Sequence, residues 1–263
     1  MNIPNTDLAD LERAYRLLEN PGIVPKLTSL LGTPIEKSLG FLPERWSNAV
    51  RSATKTAIER AMDFAVESID NKSQDASSDR KHKVITAITG AAGGFFGTPA
   101  LLIELPVTTV VMLRSIADIA RNEGEDLSSI ESRLACVEVF ALGGESKEDE
   151  AAETGYYAVR SSLAKTFSEA SRYIAQKGVT DQGAPVLVRF INSIASRFSV
   201  VVSEKVTAQL IPVIGAAGGA MINVIFTDHF QNMAHGHFTV RRLERKYGKD
   251  VVRREYEKLR NQV

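Results

Sequence analysis

Asp228, His229, His235 and His237 lie together in "DHFQNMAHGHF", the one histidine-rich stretch of the chain. On a shared helix His229 and His237 would differ by about 80° and stand two turns apart, with His235 pointing away from both. Helical metal pairs use spacings of three or four, and H-E-x-x-H is absent, so neither a metal ion nor any other cofactor is expected. The imidazoles read instead as interface groups or partners of nearby amides and acids. Ser52-Ala-Thr-Lys55 and Ser162-Leu-Ala-Lys165 both have S-x-x-K spacing. Without S-D-N, K-T-G or a G-x-S-x-G elbow, chance accounts for both. Cys136, the single cysteine, sits in the apolar pattern "SRLACVEVFAL" and reads as a buried thiol in a reducing compartment.

An acid–base site assembled across helices would draw on Glu104, Asp118, Asp228 and His229, with Arg114 and Asn223 nearby, because these polar groups lie in or beside apolar runs. Glu104, Thr108, Ser115 and Asp118 project within about 40° of one direction on a helix, and such a stripe is expected to face inward. A desolvated Glu104 would be a general acid or base. The favoured alternative pairs it with Arg114 or a helix N-terminus. No reaction is legible from these residues alone.

The elements that would carry them are helical. Leu8, Leu11, Tyr15 and Leu18 share a face until Asn20-Pro21-Gly22, and Pro21, Pro25, Pro34 and Pro43 interrupt the segment that follows. Trp46, Val50, Ala53, Ala57, Ala61 and Phe64 predict a helix to about residue 69, and the polar residues 70–83 predict a loop. Ser128 with Glu131 suggests a capping box for a helix ending at Gly143-Gly144. Helices are then expected from about Asp149 to Lys177 and through the last third to Arg260. Strand patterns appear only as fragments such as "SVVVSEKV" at 199–206. The expected fold is all-α, a multi-helix bundle with an N-terminal helix and Pro-rich segment over 1–44 and a main domain over 45–263.

Two runs stand out. Glu104 is the only charge between Val84 and Leu113, and none occurs from Val206 to Thr227. Both reach the length of about 20 residues that spans a bilayer. Pro99 and Pro106 favour a hairpin-like break in the first run, with a helix beginning near Ala100. "GAAGG" occurs in each run. Gly90 and Gly94, Gly93 and Gly97, and Gly215 and Gly219 are four apart, with Gly218 adjoining, a small-xxx-small zipper spacing that clears a helix face for close packing. The two stretches are expected to touch. Neither matches a phosphate-binding loop.

Charge is balanced, with 32 basic and 32 acidic residues, and no nucleic-acid motif accompanies it, so nucleic acid is not an expected partner. It is placed unevenly: "ESKEDEAAE" at 145–153 is acidic, whereas Arg241 to Arg260 holds nine bases against four acids. Arg241, Arg242, Arg245, Lys246, Lys249, Arg253 and Arg254 are therefore candidates for contact with an anionic membrane surface.

Three blocks in order, "GAAGGFFGTPALLIELPVTTVVMLRSIADIA", "VFALGGESKEDEAAETGYYAVR" and "IPVIGAAGGAMINVIFTDHFQNMAHGHFTVRRLERKYG", resemble the EcsC protein family over roughly residues 45–255. The resemblance implies a helical bacterial protein, cytoplasmic or at the cytoplasmic face of the membrane. It also brings a loose peptidase or hydrolase label, with no catalytic motif that maps onto these residues. The function expected is a non-enzymatic, amphitropic module that meets a lipid or a membrane protein. A hydrolase and a soluble helical scaffold are the alternatives.

Overall fold

The structure is a computed structural model that describes residues 3–19, 22–31, 42–67, 98–143, 155–178, 183–210 and 215–260. Among these residues there are nine helices and no strands: α1 (Asn5–Leu18), α2 (Val24–Leu31), α3 (Glu44–Glu67), α4 (Thr98–Asn122), α5 (Ile130–Leu142), α6 (Tyr156–Lys177), α7 (Pro185–Gln209), α8 (Gly215–Tyr247) and α9 (Lys249–Arg260). The all-α expectation holds, and "SVVVSEKV" lies inside α7.

α5 is the axis of the bundle. Every residue from Ser132 to Leu142 is buried, as suits a helix apolar on nearly all sides, and α3, α4, α6, α7 and α8 pack around it. α3 presents Ala53, Ala57, Ala61 and Ala65 on its buried face, and these small side chains let α4 lie close along it. Phe140 of α5, Phe198 of α7 and Phe226 and Phe230 of α8 stack at the centre, with neighbouring rings 5.2–6.1 Å apart. At about 1.5 Å per residue the 33 residues of α8 extend about 50 Å, long enough to thread the whole bundle.

The segment before Glu44 joins this core. α1 lies on α8, and Leu11, Ala14, Ile23 and Leu27 are buried with the rest. Gly236 of α8 makes the approach of α1 possible, since a Cβ there would sit 2.6 Å from Leu18 Cγ and 3.1 Å from the carbonyl oxygen of Ala14.

Several local expectations change. The capping box at Ser128 is absent: Ser129 is the N-cap without a side-chain bond, and Ser128 donates its hydroxyl to Asp126 at 2.7 Å. The uncharged run from Val206 to Thr227 is not one helix, because α7 ends at Gln209 and α8 starts at Gly215. α4 does start beside Pro99 as expected, and it continues through Pro106 to Asn122. Gly248, at φ 88°, turns the chain from α8 into α9, a left-handed conformation that glycine adopts without strain.

Candidate functional site

The four acid–base candidates do not assemble. Glu104 and Asp118 lie about 21 Å apart along α4, by the rise of a helix. Asp118 and Asp228 are exposed, and Asp118 pairs with Arg121 at 2.8 Å. The polar stripe on α4 does not face inward. Leu105, Thr109, Met112, Leu113, Ile116 and Ala120 fill the interior side, leaving Glu104, Thr108 and Ser115 half-buried at its border. His229 is buried on α8 and shares a 3.1 Å hydrogen bond with the Gly143 carbonyl, capping the end of α5. Burial lowers its pKa to about 4. His235 is exposed. Burial also pushes the Cys136 thiol up to about 12, far from a nucleophile's range.

Glu104 does have a partner, though not Arg114. Lys205 of α7 reaches it at 3.2 Å and lies 4.8 Å over the Phe226 ring, with only 1% of its side chain exposed. Arg114 instead stacks on Phe64 at 4.8 Å. Asn223, one turn before Phe226 on α8, keeps a buried amide oxygen without a hydrogen-bond partner among the described residues.

Around this pair the surface is apolar. The large exposed hydrophobic side chains among the described residues are Leu102, Ile103 and Val107 on α4, Leu210 after α7, and Met221 and Val224 on α8. All six fall where α4 and α8 begin and α7 ends. The ion pair of Glu104 with Lys205, and the Lys205 contact with Phe226, show that these three helix ends adjoin. Gly90, Gly93, Gly94 and Gly97 lie outside the described residues, so the expected contact between the two "GAAGG" stretches does too. Gly215 and Gly218 fall in the first turn of α8. No described residue lies within 4 Å of a Cβ placed on Gly219, and the stretch it was expected to meet lies outside the described residues.

Much of the basic tail is paired with acids of the same chain, although Arg245, Lys246, Lys249 and Arg254 stay exposed. Arg241 and Arg245 hold Glu125, Arg242 bridges Asp10 and Glu123 at 2.8 Å each, and Lys246 holds Asp7 at 2.7 Å. Arg253 pairs with Glu257 and lies over Tyr157. Lys249 and Arg254 are exposed. The tail also begins about 30 Å along α8 from Met221, so basic and apolar surfaces lie well apart.

A second polar centre was not anticipated in sequence. Arg160 of α6 grips Glu244 of α8 through two hydrogen bonds of 2.8 and 3.1 Å and donates to the Tyr156 hydroxyl at 3.1 Å. That hydroxyl meets His237 Nδ1 at 3.0 Å, and His237 Nε2 faces Glu138 of α5 at 3.9 Å. Glu19, just past α1, accepts from the Tyr256 hydroxyl at 2.8 Å and from the Tyr156 backbone N–H at 3.1 Å, so one carboxylate caps α6 and anchors α9. Burial opposes the charge on Glu125. Hydrogen bonds from Arg241 and Ser132 and the charge of Arg241 nevertheless hold its carboxyl below the ordinary range. The one sequence signal for this centre was Glu138 itself, a lone acid within "ACVEVFAL".

Outside this network, a shallow groove of about 360 Å³ runs between α1 and α9, lined by Leu8, Leu11, Glu12, Glu255, Lys258 and Leu259. None of the network's polar groups lines it.

The model of the EcsC protein family matches residues 16–243, from the last turn of α1 to the last turns of α8. Neither a curated protein nor a solved structure matches the chain.

Proposed function

The chain belongs to the EcsC protein family, and we propose that it acts as a non-enzymatic, membrane-associated member, docking its apolar end into one leaflet at the cytoplasmic face. The observation that carries this reading is the gathering of all six large exposed hydrophobic side chains at the ends of α4, α7 and α8.

Two helical stretches, Ala100–Asn122 and Pro185–Gln209, are long and apolar enough to cross a bilayer, yet about half of each is buried within the protein. Their outer faces argue against a span. α7 turns Arg189, Asn192, Ser196 and Ser199 outward, and α4 becomes charged at Arg114, Asp118 and Arg121. The apolar exterior of α4 thus runs from Ala100 to Leu113, about 21 Å, well short of the ~30 Å hydrocarbon core. The exposed side chains of α4, Leu102 to Val107, cover only about 8 Å of the helix, a depth that suits entry from one side.

The six side chains are 41–73% exposed, so insertion would bury the equivalent of about three whole ones. At ~2 kcal/mol each this supplies ~6 kcal/mol, or about four orders of magnitude in partitioning. The contact partner is a lipid surface, and a membrane protein presenting an apolar face would use the same end.

The test is flotation of the full chain with vesicles of phosphatidylglycerol and phosphatidylcholine. Ile103→Asp with Val107→Asp should reduce vesicle binding at least 100-fold while the circular dichroism stays helical. Binding that survives this pair of changes but disappears in high salt would assign attachment to the basic tail instead. No vesicle binding by the unaltered chain would favour a soluble scaffold.

A further inference from the structure

The pair formed by Glu138 and His237 has no role in membrane docking, and its geometry is unusual. Arg160 spends its guanidinium on Glu244 and on the Tyr156 oxygen, so the single Tyr156 proton is directed to His237 Nδ1. With Nδ1 accepting, the ring's own proton sits on Nε2. That nitrogen is fully buried and has no hydrogen-bond partner among the described residues. It faces Glu138 Oε2 across 3.9 Å, where an N–H donating to a carboxylate would normally close to about 2.8 Å. His237 is 0% and Glu138 7% exposed at the side chain, so solvent does not screen the pair.

We propose that Glu138 and His237 form a one-proton gate between α5 and α8: with a proton on Glu138 the side chains stand apart, and when it leaves, the carboxylate accepts the Nε2–H and closes the gap. The step transfers one proton from the Glu138 carboxyl to solvent, and no other bond changes. Closing draws α8 toward α5 by about 1 Å at His237, while the bond between His229 and Gly143 already pins the same two helices further along.

The surroundings decide where the proton resides. Arg160 from α6 and Arg241 one turn along α8 face both groups, Glu244 of α8 and Glu131 of α5 act on Glu138, and Tyr156 closes the side toward Tyr256 of α9 and Glu19 of α1. Burial is the main influence on each group. It raises the Glu138 pKa, although Arg160 and Arg241 pull the other way. It lowers that of His237 well below 6.5, and there both arginines act in the same direction as burial. Burial thus favours the neutral form of each group, the state in which the gate's one proton sits on Glu138.

The pH signature follows from counting protons. Between the ordinary values of 4.5 for glutamate and 6.5 for histidine, the unfolded pair also binds one proton, on histidine, so this pair adds no slope there. Above 6.5 the unfolded pair has lost it and the folded pair has not. The folding constant then falls up to tenfold per pH unit until Glu138 ionises in the folded state. His229 alters only the acid side, and Cys136 contributes only above 9, which leaves 6.5 to 8.5 clear.

The test is urea unfolding of the full chain from pH 5.5 to 8.5, beside nitrogen-15 NMR of its histidines. The unaltered protein should show the alkaline decline, and Glu138→Gln, which stays neutral, should not. In the spectrum His237 should remain a neutral Nε2–H tautomer throughout, with its Nε2 proton moving downfield as Glu138 ionises. An identical decline in Glu138→Gln, a flat profile in the unaltered protein, or His237 titrating as an imidazolium would overturn the gate. The spectrum needs no variant, so it decides the matter even if Glu138→Gln fails to fold.

Discussion

Gly236→Ala puts one methyl group where α1 crosses α8. Its Cβ would lie 2.6 Å from Leu18 Cγ, 3.0 Å from Leu18 Cδ2 and 3.1 Å from the Ala14 carbonyl oxygen. None of these can yield easily. Leu18 and Ala14 are buried, and the carbonyl belongs to the helix backbone. Alanine in a helix interior gains about 1 kcal/mol over glycine, whereas overpacking a tight contact costs about 1–3 kcal/mol. The net expectation is a loss of about 1 kcal/mol, seen as a fall of about 2–4 °C in the thermal midpoint of a chain this size. Hydrogen exchange should quicken in α1 before α5. Leu18→Ala alone costs about 2–5 kcal/mol as a cavity, but in the double variant the new methyl occupies part of that space. The two changes should couple favourably by at least about 1 kcal/mol. Strict additivity, or a Gly236→Ala protein stabilised by the full helix-propensity gain, would refute the close approach of α1 to α8.

Two further outcomes are expected. Glu104→Gln leaves the Lys205 ammonium buried against Phe226 without a counter-charge and should cost up to about 3–5 kcal/mol in urea unfolding, moderated because a fifth of the Glu104 side chain meets solvent. Replacing both partners, as Glu104→Leu with Lys205→Met, should come within about 1 kcal/mol of the parent, and equal losses in the two proteins would show that the ion pair was not responsible. His229, neutral in the fold with its pKa lowered to about 4, binds a proton below 6.5 only when unfolded, so its contribution is lost as pH falls from 6.5 toward 4. His229→Asn should flatten that part of the acid unfolding curve, and an unchanged curve would place the acid lability elsewhere.

Much of the secondary structure was legible because helix formation is local. Val50, Ala53, Ala57 and Ala61 announced α3 by spacing alone, and Leu11 and Leu18 marked the buried face of α1. The apolar run around Glu104 likewise pointed to the helix that carries the exposed hydrophobic end. Spacing is less informative at Ser128, where a bond with Asp126 replaces a capping box, and along the α4 stripe, whose shared direction runs along the border of the interior. A period shows which residues share a face, but not which neighbour that face meets.

The polar centre shows the division most clearly. Sequence determined that this chain makes amphipathic helices, that α5 is apolar nearly all round, and that one acid interrupts "ACVEVFAL", because these depend on residues within a few turns of one another. Tertiary structure alone brought His237 to Tyr156 across 81 positions, Lys205 to Glu104 across 101 and Lys246 to Asp7 across 239. It also paired Arg241, Arg242, Arg245 and Lys246 with acids of α1 and of the turn after α4, partners that no local pattern names. The reason is physical: a side chain's charge and spacing are local properties, but its desolvation and its partner are set by what the folded chain packs against it.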